Sequence, residues 1–212
     1  ADLLVKSGIA DGLFESLRYL MGPLRGGIAI AVIIVCTVLA ACTGIVGAAV
    51  VSMGLAALPV MIRYGYEKGL AAGTICAGGT LGILIPPSIM MVALADLTGL
   101  SAGKLLVGGI FPGLILAGLY IAYIALRCGL RPELGPPLSL EERAAVQVRQ
   151  RIKGAVRSML APGVLILVVL GIIFTGIATA TEASGVGAFL AFVMTLIYRR
   201  FSWGMLREAV QA

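Results

Sequence analysis

"GTLGILIPPS", residues 79–88, lies in a stretch with no charged side chain between Lys68 and Asp96. Two consecutive prolines do not fit an unbroken helix, because proline lacks the backbone N–H and its ring clashes with the preceding turn. Gly78, Gly79 and Gly82 loosen the segment just before them. We therefore expect a helix that rises from Lys68, breaks near 82–87 and restarts at Pro87 or Ser88. A broken membrane helix exposes carbonyls at the end of its first half, which suit Na⁺, and N–H groups at the start of its second, which suit an anionic group. The plainer alternative is a proline kink relieved by neighbouring helices.

Around this stretch the chain is 60% hydrophobic and 12% charged, where soluble domains carry about a quarter charged residues. It reads as an all-α integral membrane protein. Charge-free windows run over 26–62, 69–95, 105–126 and 158–181, with a shorter one at 183–198. About 20 apolar residues cross a hydrocarbon core about 30 Å thick, so four windows suffice and the fifth is marginal. The net charge of +6 comes from basic residues at the ends of apolar spans, which marks cytoplasmic loops facing lipid rather than a nucleic-acid surface. Cys36, Cys42, Cys76 and Cys128 lack metal-ligand spacing and there is no histidine, so they read as packing residues and no metal other than a Na⁺ site is expected. General acid–base chemistry has few candidates, which argues against an enzyme.

The only long polar stretch, Arg127 to Arg157, is rich in arginine, and "RPELGPP" at its start forbids a continuous helix. The positive-inside rule puts it in the cytoplasm. Residues 159–177 then rise, turn near "GIATATE" and return through 181–198. Read backwards, 104–126 descends and 69–95 rises, with Asp96 and Lys104 flanking an external turn. The window 26–62 is bounded by Arg25, Arg63 and Lys68, so it must enter and leave on the same side. Its natural turn is "CTGIVG", 42–47. The 16 residues from Gly26 to Ala41 make about 24 Å of helix, short of a full crossing. We expect a re-entrant hairpin whose tip stops inside the membrane, the alternative being two tilted helices with a tight external turn.

Both breaks then fall near mid-membrane and make a site if they face each other. Thr43, Thr80 and Ser88 would add hydroxyl oxygens, and Gly44, Gly47 and Gly82 would allow close backbone approach, with Pro86 and Pro87 enforcing the break. Glu182, in "TGIATATEASG", is the only acid within an otherwise apolar stretch, and its role is open between transport and a structural interface. Asp96 reads as a solvated boundary residue. Residues 1–21 alternate apolar and charged positions at helical spacing, as an amphipathic helix in the membrane interface or bracing its neighbours does.

The run from "RGGIAIAVIIVCTVLAACTGIVG" through "LPVMIRYGYEKG" and "GGTLGILIPPSIMMVALAD", followed by "GGIFPGLIL" and "GIATATEASGVGA", resembles the large membrane subunit of tripartite ATP-independent periplasmic (TRAP) transporters, the DctM-like proteins. The resemblance covers nearly the whole chain. It implies secondary active uptake of small organic acids such as C4-dicarboxylates, a Na⁺-coupled symport in a bacterial inner membrane with no other cofactor. It also implies a periplasmic (DctP-like) binding protein and a small (DctQ-like) membrane subunit as partners, an inverted-repeat fold with two re-entrant hairpins, and an elevator-like moving domain. On this chain it implicates Thr43, Gly44 and the backbone around Thr80 to Ser88 in one cation site. The usual tip carries serines after the glycine, whereas Ile45 and Val46 follow here, so ligation would lean on carbonyls.

The organisation expected is an amphipathic helix over 1–24, a re-entrant hairpin over 25–65, a broken helix plus a transmembrane helix over 66–128, a cytoplasmic loop over 129–157, and a helix pair over 158–212 that begins the second repeat of a longer protein. Two other functions stay open: a binding-protein-independent divalent-anion symporter, and a structural membrane assembly subunit.

Overall fold

The computed structural model describes residues 9–138 and 148–197. Eight helices account for nearly all of them: α1 (Ile9–Met21), α2 (Gly27–Thr43), α3 (Val46–Arg63), α4 (Lys68–Leu84), α5 (Ile89–Thr98), α6 (Ala102–Leu130), α7 (Val148–Phe174) and α8 (Ala180–Ile197), with a short 3₁₀ turn at Pro132–Leu134. No strand occurs among the described residues. Three segments, Val46–Arg63, Lys68–Thr98 and Ala102–Leu130, are long and apolar enough to cross a membrane. The protein is an all-α, multi-pass membrane protein.

Among the described residues helices occupy most of the spans read from the sequence, with boundaries that shift for identifiable reasons. The hairpin turn is tighter than "CTGIVG": only Gly44 and Ile45 separate α2 from α3. Helix α4 runs through Gly78, Gly79 and Gly82 and breaks only at 85–88, later than the 82–87 read from the sequence. Those glycines are spaces into which the hairpin packs rather than weak points. A Cβ on Gly78 would sit 2.8 Å from the Cys36 sulfur on α2, one on Gly79 would collide with Val50 on α3, and one on Gly82 would sit 3.6 Å from the tip backbone at Ile45 and Val46. Helix α4 is thus wedged against both arms of the hairpin, and its contacts with α2 and α3 are the most extensive in the fold.

Helix α6 provides a ruler along the bundle. Near its C-terminus, Ile124 and Cys128 pack on Gly26 at the base of the hairpin, and Gly109 and Gly113 pack on Leu84 and Ile85 at the helix break. The hairpin and α4 therefore match the part of α6 from about Gly109 to Cys128, about 28 Å at the helical rise. The rest of α6, about 10 Å from Ala102 to Gly109, runs alongside α5.

The base of the hairpin is clasped. The peptide N–H of Gly26 donates to Gly135 O (2.8 Å), that of Leu138 to Gly22 O (2.9 Å), and that of Glu67 to Leu134 O (3.1 Å). The chain after α6 is thereby stitched to both ends of the hairpin. The buried Tyr66 hydroxyl accepts from the Ile28 N–H (3.1 Å), one of the first-turn donors that no helix can satisfy internally. Burial pushes its phenol up to about 12, so it stays neutral. Helix α4 starts with Glu67 as its cap, both carboxylate oxygens accepting from the Gly69 and Leu70 N–H groups. Those bonds hold the Glu67 carboxyl below its ordinary 4.5.

Helix α1 braces the hairpin from outside, burying Leu13, Phe14 and Leu17 against α2 and α7. The guanidinium of its buried Arg18 pairs with Glu15 at 3.0 Å and lies 5.5 Å from the Tyr64 ring centroid at the end of α3. Residues 1–8 of the amphipathic segment lie outside the described residues. The polar stretch read as loop through 157 is helical from Val148, because Val148, Ile152 and Ala155 recur at helical spacing; Ala155 is buried. Helix α7 then pairs with α8, and Leu165, Val169 and Ile173 form a second apolar cluster with Leu106 and Ala183.

Replacing Tyr66 by phenylalanine leaves the Ile28 N–H buried without its partner. We expect Tyr66→Phe to cost about 1–3 kcal/mol of stability, read as a lower midpoint of unfolding for the purified full-length protein.

Candidate functional site

Four helix ends meet where the hairpin tip touches the break in the α4–α5 helix. The C-terminal ends of α2 and α4 carry the carbonyl, electronegative poles, and the N-terminal ends of α3 and α5 carry the N–H, electropositive poles. Gly44 caps α2 in the left-handed conformation (φ 63°), with its N–H donating to Ala40 O at 2.9 Å. A Cβ there would sit 2.5 Å from the Pro87 carbonyl oxygen and 3.5 Å from the Ile89 nitrogen. Only glycine meets both demands, positive φ and direct backbone contact. Gly82 faces the same tip from α4.

On the break side, the last helical bond is the Ile85 N–H to Leu81 O (2.8 Å). Ile85 is then extended, Pro86 is buried and the Pro86–Pro87 peptide is cis. Ser88 is 1% exposed, and its hydroxyl donates to Ile83 O at 2.7 Å across the break, satisfying a carbonyl the helix leaves without an intrahelical donor. Its oxygen retains lone pairs.

Of the residues singled out in the sequence, the fold brings Gly44, Gly82, Pro86, Pro87 and Ser88 to one place. Thr43 ends α2 beside Gly44, and its side chain lies outside the described residues. Gly47 is exposed, with open space around its Cβ position, so no close approach depends on it. The Thr80 side chain is exposed, donating to Ala77 O at 2.7 Å and lying 3.4 Å from the Tyr120 hydroxyl on α6. It is engaged with α6 rather than with the tip.

Glu182 stands apart, at the start of α8, in a capping box. Its carboxylate accepts from the Thr179 N–H (2.8 Å) and hydroxyl (2.9 Å), while its own N–H donates to the Thr179 hydroxyl (3.3 Å). Among the described residues no group of three or more His, Cys, Asp or Glu side chains is placed to hold a metal ion. The chemistry available at the junction is that of backbone carbonyls, a serine hydroxyl and helix termini. Sequence reasoning missed Tyr120 as the partner of Thr80, because a tyrosine on a helix that is apolar all round carries no signal of which neighbour it faces.

The profile of the tripartite ATP-independent periplasmic transporter, DctM component, matches residues 1–212. The chain belongs to the DctM family. It is 38% identical over 199 residues to the C4-dicarboxylate TRAP transporter large permease protein DctM of Pseudomonas aeruginosa, covering 92% of this chain and 44% of that protein. It is 36% identical to the protein of the same name from Vibrio cholerae, over 91% of this chain and 41% of the relative. An isethionate TRAP transporter permease protein, DctMQ, of Oleidesulfovibrio alaskensis is 31% identical over 96% of this chain and 31% of its own length. The chain spans less than half the length of these DctM-family relatives, which are transporter permeases and not enzymes.

Two substitutions separate structural from functional roles. Gly44→Ala is expected to destabilise by about 1–2 kcal/mol from the left-handed backbone alone, more once the Pro87 contact is counted, as a lowered unfolding midpoint of the full-length protein. Glu182→Gln preserves a capping acceptor, so it is expected to leave uptake unchanged, whereas a carboxylate used in transport would lose it.

Proposed function

We propose that the chain is part of the large membrane subunit of a secondary transporter in a bacterial inner membrane, importing small organic acids such as C4-dicarboxylates with a cation, Na⁺, as the coupling ion. A periplasmic binding protein delivers the substrate and a small membrane subunit completes the complex. The observation that carries this reading is the contact of the Gly44 tip with the Pro87 carbonyl. It gathers the electronegative ends of α2 and α4 at one point, where a desolvated cation finds carbonyl oxygens and an anionic substrate finds the opposite poles of α3 and α5.

The ruler of α6 supports a re-entrant hairpin. Helix α6 continues about 10 Å beyond Gly109, where it meets the end of α4 at the helix break, so the tip stops short of the far end of α6 and is read as ending within the membrane. Backbone of this kind is tolerated at depth only against protein or a water-filled cavity. Thr43 and Ser88 are the hydroxyl ligands, with Gly44 and Gly82 permitting the approach. Thr80 acts through Tyr120 and α6. With the hairpin, α4 and α6 stitched at the base by the clasp, this part of the chain moves as one body, which suits an elevator-type exchange of access. The relatives named for C4-dicarboxylates support an organic-acid substrate.

The test is uptake by the full-length subunit, reconstituted with its small subunit and binding protein, with external Na⁺ replaced by K⁺, for the wild type and for Thr43→Ala and Ser88→Ala. We expect uptake to vanish without Na⁺ and the Na⁺ requirement to rise in both variants. Unchanged uptake in K⁺ would remove Na⁺ from the mechanism, and wild-type Na⁺ dependence in both variants would remove these hydroxyls.

A further inference from the structure

Between α4 and α6, with Ile33 of α2 at its back, lies an open groove of about 690 Å³. That is within the range of about 300–1,000 Å³ usual for ligand sites. One wall is made low by Gly69, Gly73 and Ala77, the other tall by Leu116, Leu119 and Tyr120. Its lining is apolar along most of its length. The outer neighbours on α6, Leu119 and Leu126, are 59% and 64% exposed, so the groove opens sideways onto an apolar face of the helix.

The polar groups gather at one end. Arg127 lines the groove and also a second hollow of about 280 Å³ that it shares with Tyr123, Leu130 and Arg131. The Arg127 guanidinium donates to the Tyr123 hydroxyl at 2.9 Å and lies 5.8 Å from that ring's centroid. This contact aims the cation along the helix surface and leaves the rest of its planar fork for an anion. Glu67 is the acid that lines the groove, and both its oxygens already accept from the N-terminus of α4. Among the described residues Arg127, Arg131 and the exposed Lys68 outnumber Glu67 and Glu133 at this end of the bundle.

A long apolar trough with a cationic, tyrosine-edged mouth fits a molecule with an apolar body and an anionic end. A small hydrophilic acid would leave the trough unfilled. We propose that this groove holds one phospholipid with an anionic headgroup, its phosphate at Arg127 and Arg131 and an acyl chain lying along α4 toward Thr74 and Tyr120. Basic pockets between membrane helices on the cytoplasmic side suit such headgroups, and the charge pattern of the chain puts this end there. The lipid would fill the seam between α4 and α6, so the headgroup composition of the membrane bears on how firmly the two helices hold together. The inference needs only that α4 and α6 cross the membrane and is independent of the cation site.

The test uses the full-length protein with a benzoylphenylalanine photoprobe in place of Leu116, reconstituted in vesicles of phosphatidylethanolamine with a minority of phosphatidylglycerol. After irradiation, adducts are identified by mass spectrometry. A probe in place of Leu97, which is 86% exposed on α5, reports the bilayer composition. We expect phosphatidylglycerol adducts at position 116 to be enriched several-fold over those at position 97. The enrichment should fall to the position-97 level in Arg127→Gln with Arg131→Gln and be largely retained in Arg127→Lys. Cross-links at 116 to another part of the protein would mean that protein covers the groove and would overturn the proposal. So would adducts matching the bilayer ratio in the wild type.

Discussion

The fold depends on one backbone contact, the approach of Gly44 to the carbonyl of Pro87. A hairpin tip is a place where two helices stop, and a proline pair is a place where another helix stops. Each leaves backbone groups without helical partners, at a cost of several kcal/mol apiece if hydrocarbon surrounds them. Packing one break against the other removes lipid from both. The glycines of α4 make the approach possible, since Gly78 and Gly79 admit Cys36 and Val50 and let the hairpin straddle α4 down to Gly82. The clasp at the opposite end, through Gly26, Glu67 and Leu138, fixes where the arms begin and hence where the tip lies.

A junction built this way has unusual electrostatics for a site without a single charged side chain. Its polarity comes from helix ends, which do not titrate and need no proton to act. That suits the proposed cation site, because uncharged carbonyl dipoles hold a cation less tightly than a carboxylate does. Ser88 shows how finely the junction is satisfied: its hydroxyl donates to Ile83 across the break, supporting the discontinuous helix while keeping an oxygen at the junction. Glu182, the acid that draws the eye in the sequence, is instead used to start a helix.

Much of this was legible in the sequence, for reasons that also mark where it stopped being so. Arg25, Arg63 and Lys68 put both ends of the 26–62 window on one side, and Pro86–Pro87 cannot lie inside a helix, so a hairpin and a break followed from charge and covalent geometry. Which face of each helix packs did not follow. Facing is read from contrast between apolar and polar positions, and α2, α4 and α6 are apolar all round. Hence the sequence groups Thr80, one residue beyond Gly79, with the tip although it engages Tyr120, and suggests for Gly47 a close contact it does not make. The clasp was hidden for another reason: its bonds run between backbone groups of Gly22, Gly26, Leu134 and Gly135, whose pairing only the fold decides.

The central claim is that the tip meets the break inside the membrane and closes on a cation. It is tested most directly at Ile45, the exposed tip residue between the two arms of the hairpin. In a full-length protein lacking other cysteines, Ile45→Cys is treated with a membrane-impermeant thiol reagent from each side, in Na⁺ and in K⁺. The account predicts little labelling from outside in the absence of substrate, and slower modification in Na⁺ than in K⁺. Rapid labelling from outside at the same rate in both ions would make the tip an ordinary external turn and contradict it.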